Sequence, residues 1–205
     1  MNIFQIIREH LEAGSRGVLA TVISRSGSAP RDVGAKMFID ETGRSFGTVG
    51  GGLLERYVQE EAAGKMSEDR ASIFHMRMDS RTVAEQGMLC GGNVDVLLEP
   101  VGKAHRPLYA RLAELERKGG MAVVVTALAT GVFTKTLIEE GLVITGDPID
   151  EGSAAGHLGL FGERRPVIVG EGRFIVEPLF DRTRLYVFGA GHVSQYIARM
   201  ANMVD

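Results

Sequence analysis

Two glycine-rich turns hold most of the residues that could do chemistry: Gly47-Thr48-Val49-Gly50-Gly51-Gly52-Leu53-Leu54-Glu55 and Cys90-Gly91-Gly92. Glycine reaches φ > 0 and leaves its N–H uncovered, so three in a row ahead of a helical run form a seat for an anion. Glu55, on the first turn of that helix, fits two roles: an acceptor for a ligand's amino edge, or a favourable charge at a helix N-terminus. Cys90 is the only thiol. Its glycine neighbours leave the sulfur open to a metal or sulfur contact, while an unpaired cysteine also packs well as a small apolar group. Arg31 and Lys36 flank the loop Gly27-Ser28-Ala29-Pro30, and Ser28 is a further donor there. The Arg31 fork suits a phosphate, and solvation of the whole loop is the alternative.

Other constellations exclude common chemistries. The five histidines are dispersed, with no His-Glu-x-x-His and no Cys-x-x-Cys, so a zinc site has no support. There is no Gly-x-Ser-x-Gly and no complete P-loop, which argues against ordinary hydrolase and NTPase readings. The nine methionines keep no regular spacing and read as core filling. No residue is assigned a catalytic role. A third glycine motif lies at 189–194, where a strand over 184–188 runs into Gly189-Ala190-Gly191 and a helix over 193–203. This is the opening of a dinucleotide-binding unit, with Gly189 for the tight turn, Gly191 for close approach of a pyrophosphate and His192 either facing a phosphate in an intact domain or capping the turn. Ser194 replaces the third glycine, and the acidic residue that would hold a ribose is expected about twenty residues further on. The sequence is therefore expected to stop inside a second domain, with NAD(P) or another nucleotide relevant only to a longer chain. The strand must pair to avoid an open edge, by docking or by self-association into a homo-oligomer.

The elements that would position these turns follow from periodicity. Ile3, Phe4, Ile7 and Leu11 share a helical face, predicting a helix over 2–13 with Gly14 as its stop. Residues 18–23 are apolar except Thr21 and predict a strand buried on both faces, followed by a loop over 24–34. Segments 35–39 and 44–48 form a hairpin around Asp40-Glu41-Thr42-Gly43 that feeds the triple glycine and a helix over 51–63. Strands follow at 71–78 and 93–101, then a helix entered through Pro107 and ended by Gly119-Gly120. Beyond it come strands at 121–128, 132–138, 142–145, 166–169 and 173–179. Glu60, Glu61, Lys65 and Glu68 make a solvated helix face. The fold class expected is α/β, a domain of hairpins and helices over 1–180 followed by the first strand and helix of a Rossmann domain over 181–205.

Composition agrees with a folded, reduced protein. The 205 residues suffice for a substantial core, and a formal charge of −3 gives no reason to expect nucleic acid. The 27 glycines exceed the usual share of about 7%, yet they sit at turns without a repeat. One cysteine excludes an internal disulfide framework, and no apolar run approaches eighteen residues, so a cytoplasmic setting without signal peptide or membrane span is expected.

Taken together, Gly27-Ser28-Ala29-Pro30-Arg31, Gly34-Ala35-Lys36-Met37, the stretch from Gly47 to Glu55, and Cys90-Gly91-Gly92 ending in Val96-Leu97-Leu98-Glu99-Pro100 resemble the XdhC/CoxI family in order and spacing. The start of a Rossmann unit at Phe188 to Ser194 fits the same pattern. The resemblance implies a chaperone more than a catalyst, one that binds molybdenum cofactor in its molybdopterin form, protects it during sulfuration and helps insert it into a xanthine dehydrogenase-type molybdenum hydroxylase. It implies Ser28, Arg31, Lys36, Gly50, Gly51, Gly52, Glu55, Cys90, Gly91 and Gly92 as the cofactor-contacting set. Two alternatives stay open: a nucleotide-dependent oxidoreductase, and a protein-interaction module that binds the hydroxylase or a cysteine desulfurase without holding a pterin.

Overall fold

The computed structural model describes residues 3–27, 31–68, 70–77, 92–118, 120–127, 134–139, 142–146, 166–170, 174–179 and 185–204. Helix α1 (Ile3–Glu12) buries Phe4, Ile7 and Leu11, and Gly14 follows it at φ 89°. Strand β1 (Gly17–Gly27) is buried from Gly17 to Ile23, as the two-sided apolar run requires. The sequence predicts its end at 23, but the strand continues to Gly27 because β5 (Gly92–Val101) pairs along it, with Arg25 opposite Val94 and Gly27 opposite Gly92. A distant partner here outweighs the weak strand preference of Ser24-Arg25-Ser26, and a bulge between Val22 and Ser24 absorbs the change. Strands β2 (Lys36–Asp40) and β3 (Ser45–Gly47) form the expected hairpin, and β4 (Ser72–Arg77) pairs with β5 on the far side. The first sheet is thus antiparallel in the order β3-β2-β1-β5-β4.

Helix α2 (Gly52–Lys65) lies on one face of this sheet, where Leu54, Val58 and Ala62 meet Val18, Ala20, Val22, Met37, Ile39, Val96 and Leu98. A short 3-10 turn (Lys103–His105) leads into α3 (Arg106–Lys118). The second sheet is also antiparallel, built from β6 (Ala122–Ala127), β7 (Thr134–Glu139), β8 (Leu142–Gly146), β9 (Val167–Val169) and β10 (Phe174–Leu179) in the order β8-β7-β6-β10-β9. The two sheets meet directly through Ile23, Leu97 and Ile175. Where they diverge, α1 and α3 fill the wedge, so that Phe4, Ile7, Tyr109 and Leu112 pack with Leu19 and Phe38 of one sheet and Val124 and Leu137 of the other.

Charge enters this interface in a matched pattern. Glu99 of β5 and Lys135 of β7, exposed by only 1% and 3%, form an ion pair at 2.7 Å across the two sheets. Lys36 of β2 and Glu177 of β10 form a second bridge at 2.5 Å with the charges exchanged. Burial works against the charge on Lys135, but Glu99, Tyr109 and Glu177 outweigh it and hold its pKa above the ordinary lysine value.

The turn between β2 and β3 is fixed by Asp40. Its Oδ1 accepts the N–H groups of Thr42 at 2.9 Å and Arg44 at 3.0 Å and the Thr42 hydroxyl at 2.6 Å. Nε2 of His10, wedged edge-on between Phe38 and Phe46, lies 3.5 Å from Oδ2. Burial tends to raise the Asp40 pKa, yet these hydrogen bonds and the charge of His10 leave it lowered.

The last element, α4 (His192–Val204), matches the expected closing helix. The strand expected over 184–188 is not formed among the described residues: residues 185–190 pair with no other strand among them, and Phe188 is 94% exposed. An extended run becomes a strand only by finding a ladder partner, and here it finds none. The architecture is therefore mixed α/β with two antiparallel sheets, and no Rossmann unit is formed among the described residues.

Two outcomes test this description. Lys135→Met leaves Glu99 charged and buried, so urea denaturation should show a loss of about 3–5 kcal/mol, with most of it recovered in the double variant Glu99→Leu/Lys135→Met. Because the folded pKa of Asp40 is depressed, its contribution is present above the unfolded carboxylate value and disappears as pH falls through the folded one. Asp40→Asn should flatten the acid limb of a stability-versus-pH curve measured by thermal unfolding.

Candidate cofactor-binding site

The strand registers bring Gly27, Lys36, Gly47 and Gly92, the described flanks of the three sequence-predicted loops, toward one end of the first sheet. Running upward along β1, Thr21 faces Lys36 at the start of β2, and Met37 faces Gly47 at the end of β3. At the tip of β1, Gly27 faces Gly92. Next to this pair Asn93 donates to the Ser26 hydroxyl at 3.2 Å. Helix α2 points its N-terminus toward the same end, since its other end, at Met66, shares a cleft with Arg16, Gly17 and Val101 at the bottom of the sheet. Ser28, Cys90 and Gly91 lie outside the described residues.

Gly50, Gly51 and Gly52 all have positive φ, at 144°, 78° and 55°. A side chain at Gly51 or Gly52 would meet no protein atom within 4 Å, so the turn presents bare main chain to open space. Gly47 differs, because a Cβ there would collide with the Lys36 carbonyl oxygen. The expected anion seat is partly filled from within. Gly50 N–H donates to the Thr48 hydroxyl at 3.1 Å, and Gly51 N–H donates to Glu55 Oε1 at 2.9 Å. The Thr48 hydroxyl donates to the same Glu55 oxygen in a very short hydrogen bond. Glu55 thus reaches back over its own helix N-terminus, satisfying an amide that the helix cannot.

The cations divide. Arg31 is exposed. Lys36 is committed to Glu177, and its Nζ also donates to the Gly34 carbonyl at 3.4 Å. The Lys36 carbonyl accepts Thr48 N–H at 2.9 Å, so one residue ties the glycine turn to the bridge between the sheets. Among the described residues no three His, Cys, Asp or Glu side chains gather as a metal site. At the far end of the chain Gly189 takes φ 106°, Gly191 precedes α4, and His192 is its exposed first residue. Without a paired strand these three do not frame a nucleotide pocket among the described residues.

Sequence reasoning missed Thr48 as the organiser of the turn and Glu99, Lys135 and Glu177 as the brace behind it. The signal for the brace was legible: a charge inside an otherwise apolar strand, as in Val96-Leu97-Leu98-Glu99 and Thr136-Leu137-Ile138 after Lys135, marks a buried group that needs a partner.

Residues 10–77 match the XdhC and CoxI family. The chain is 33% identical over 110 residues to the molybdenum cofactor insertion chaperone PaoD of Escherichia coli, covering 54% of this chain and 34% of that protein. It is 29% identical over 111 residues to a probable xanthine dehydrogenase component of Bacillus subtilis, covering 53% and 34%. The matched stretch thus spans about a third of these relatives. In fold, the chain superposes over its full length, with a TM-score of 0.75 and 24% identity, on 60% of the chain in a crystal structure titled as a xanthine dehydrogenase from Bacillus halodurans. No helix among the described residues is long and apolar enough to cross a membrane.

The internal cap makes its own prediction. Glu55→Ala should lower stability by about 1 kcal/mol and speed hydrogen exchange at the Gly51 amide, whereas Glu55→Gln, which keeps an acceptor oxygen, should retain most of the protection.

Proposed function

From the match of residues 10–77 to the XdhC and CoxI family we propose that the chain is an accessory protein of that family that holds molybdenum cofactor for a xanthine dehydrogenase-type molybdenum hydroxylase. The observation that carries the reading is the uncovered Gly51-Gly52 main chain at the mouth of α2, where a Cβ would meet no protein atom within 4 Å and would stand where this reading seats the ligand. Molybdopterin joins a phosphate, a flat pterin and a metal-binding dithiolene, and the groups of the glycine turn suit the first two. The amides of the turn and the Arg31 fork would hold the phosphate, with Ser28 as a further donor. Glu55 would take the pterin's amino edge by exchanging its internal hydrogen bonds for ligand ones. Gly91 and Gly92 would let the pterin approach the tip of β1 and β5, and Cys90 would stand next to the metal or its sulfur. The bound group supplies redox chemistry in the client enzyme, whereas this chain's residues bind it, orient it and keep water away. Lys36 enters as the anchor of the turn. The unit that does this is residues 1–180, working in the cytoplasm.

A second reading has one observation in its favour. Gly50 and Gly51 already have internal acceptors, which is what a pure interaction module would show. The two readings separate in one experiment: anaerobic purification from cells rich in the cofactor, with fluorescence of oxidised pterin as readout. Wild type should retain pterin. Gly52→Ala, placed in open space but at φ 55°, should keep the fold, at a cost of about 1–2 kcal/mol, and lose most of the pterin. Cys90→Ala should keep the phosphate-held pterin while weakening retention of the metal. Equal pterin in wild type and in a folded Gly52→Ala variant, or none in either, would leave the interaction module as the function.

A further inference from the structure

A polar centre lies where the two sheets face each other. Thr21, Lys36 and Glu99 share one face of the first sheet: Lys36 is directly opposite Thr21, and Glu99, across from Leu19, is its diagonal neighbour on the other side. Thr126 and Lys135, a cross-strand pair, answer them from the second sheet together with Glu177. Tyr109 of α3 stands close enough to feel the charges of Lys135, Glu99 and Glu177. The donors are unevenly shared. Lys135 Nζ at 2.7 Å and the Thr126 hydroxyl at 3.4 Å both turn to Glu99 Oε1. Glu99 Oε2 and Thr21 Oγ1 are fully buried and have no hydrogen-bond partner among the described residues. The buried Tyr109 hydroxyl also lacks an acceptor among them. Its neighbour Lys135 does not supply one, because an ammonium only donates. These three residues are at most 1% exposed, so bulk water does not reach them.

We propose that this centre is a binding site for one ordered water, which donates to Glu99 Oε2 and accepts from the Thr21 and Tyr109 hydroxyls. The chemistry of the three groups selects it. They offer one acceptor and two donors, the complement of a molecule that both gives and takes hydrogen bonds. The charges of Lys36, Lys135, Glu99 and Glu177 cancel, so a neutral ligand fits where an added ion would bring an uncompensated charge. A carboxylate oxygen left without a donor in the interior costs more than holding one water still. Diagonal neighbours on a sheet stand about 7–8 Å apart, a span that a hydroxyl, a water and a carboxylate fill in series. Because Thr21 stands beside Lys36, the water carries the Glu99–Lys135 pair toward the Lys36–Glu177 pair and makes one network of the two. The site is independent of the cofactor reading.

Relaxation dispersion of water oxygen, measured on the full chain, counts the waters that stay longer than the protein tumbles, and a crystal structure of the wild type locates them. The wild type should hold at least one more long-lived water than Thr21→Val/Tyr109→Phe, which removes both donors with little change of shape. Ser45→Ala, which removes a hydroxyl elsewhere, should leave the count unchanged. In the wild-type crystal a peak is expected within hydrogen-bond distance of Glu99 Oε2 and of at least one of the two hydroxyls, and this decides the matter should the double variant not fold. Equal counts in the wild type and a folded double variant, no such peak in the crystal, or a Tyr109 hydroxyl bonded directly to Glu99 Oε2 would overturn the proposal. Neither measurement depends on pterin, so failure here and failure of the cofactor reading stay apart.

Discussion

Two ion pairs of opposite sense, one buried and one only partly so, set the relation between the sheets, and the glycine turn is built on the partly buried one. Lys36 reaches from the first sheet to Glu177 of the second, while Lys135 reaches back from the second to Glu99 of the first. An apolar contact such as Ile23 against Ile175 tolerates sliding, because dispersion has little directionality. A charge-assisted hydrogen bond, with its distance and direction fixed, does not. Displacement of either sheet would strand Glu99 and Lys135 in a low-dielectric interior, where each costs several kcal/mol, and would part Lys36 from Glu177 as well. The brace therefore specifies one packing of the sheets and need not be a large source of net stability.

Lys36 passes this constraint to the surface. Its side chain is fixed in the interface, and its carbonyl receives Thr48 N–H, beside a residue where only glycine fits. Thr48 then positions Gly50 and Glu55, and Glu55 positions Gly51. The open main chain at Gly51 and Gly52 is thus held on a rigid chain of contacts that begins between the sheets. Preorganisation of this sort lets bare backbone bind something, since little ordering remains to be done on binding.

Much of this was legible beforehand, for physical reasons. Phe4, Ile7 and Leu11 declared α1 because burial imposes the helical repeat. Asp40-Glu41-Thr42-Gly43 declared a hairpin because turn residues act locally. Legibility failed where the determinant lay far off in sequence. Ser24-Arg25-Ser26 became strand because β5 arrived beside it, whereas 185–190 pair with no strand among the described residues. The site divided the same way. Its glycines were visible from spacing, while the commitment of Lys36 to Glu177, separated by much of the chain, was not. The filling of the anion seat by Glu55 was equally hidden, because a carboxylate near a helix start reads the same whether it faces solvent or folds back.

The first residue of β1 carries a consequence for how the chain finds this arrangement. A Cβ at Gly17 would collide with the Ile39 carbonyl and the Phe38 ring, so the strand enters pressed against its neighbour. Sliding β1 by one position would put Val18 there, which the gap refuses. It would also turn Leu19 and Thr21 to the α2 side of the sheet, exchanging the two faces. A missing side chain thereby works as a keyway: the hairpin can close in one alignment, and the buried charges are delivered to the side where their counterparts wait.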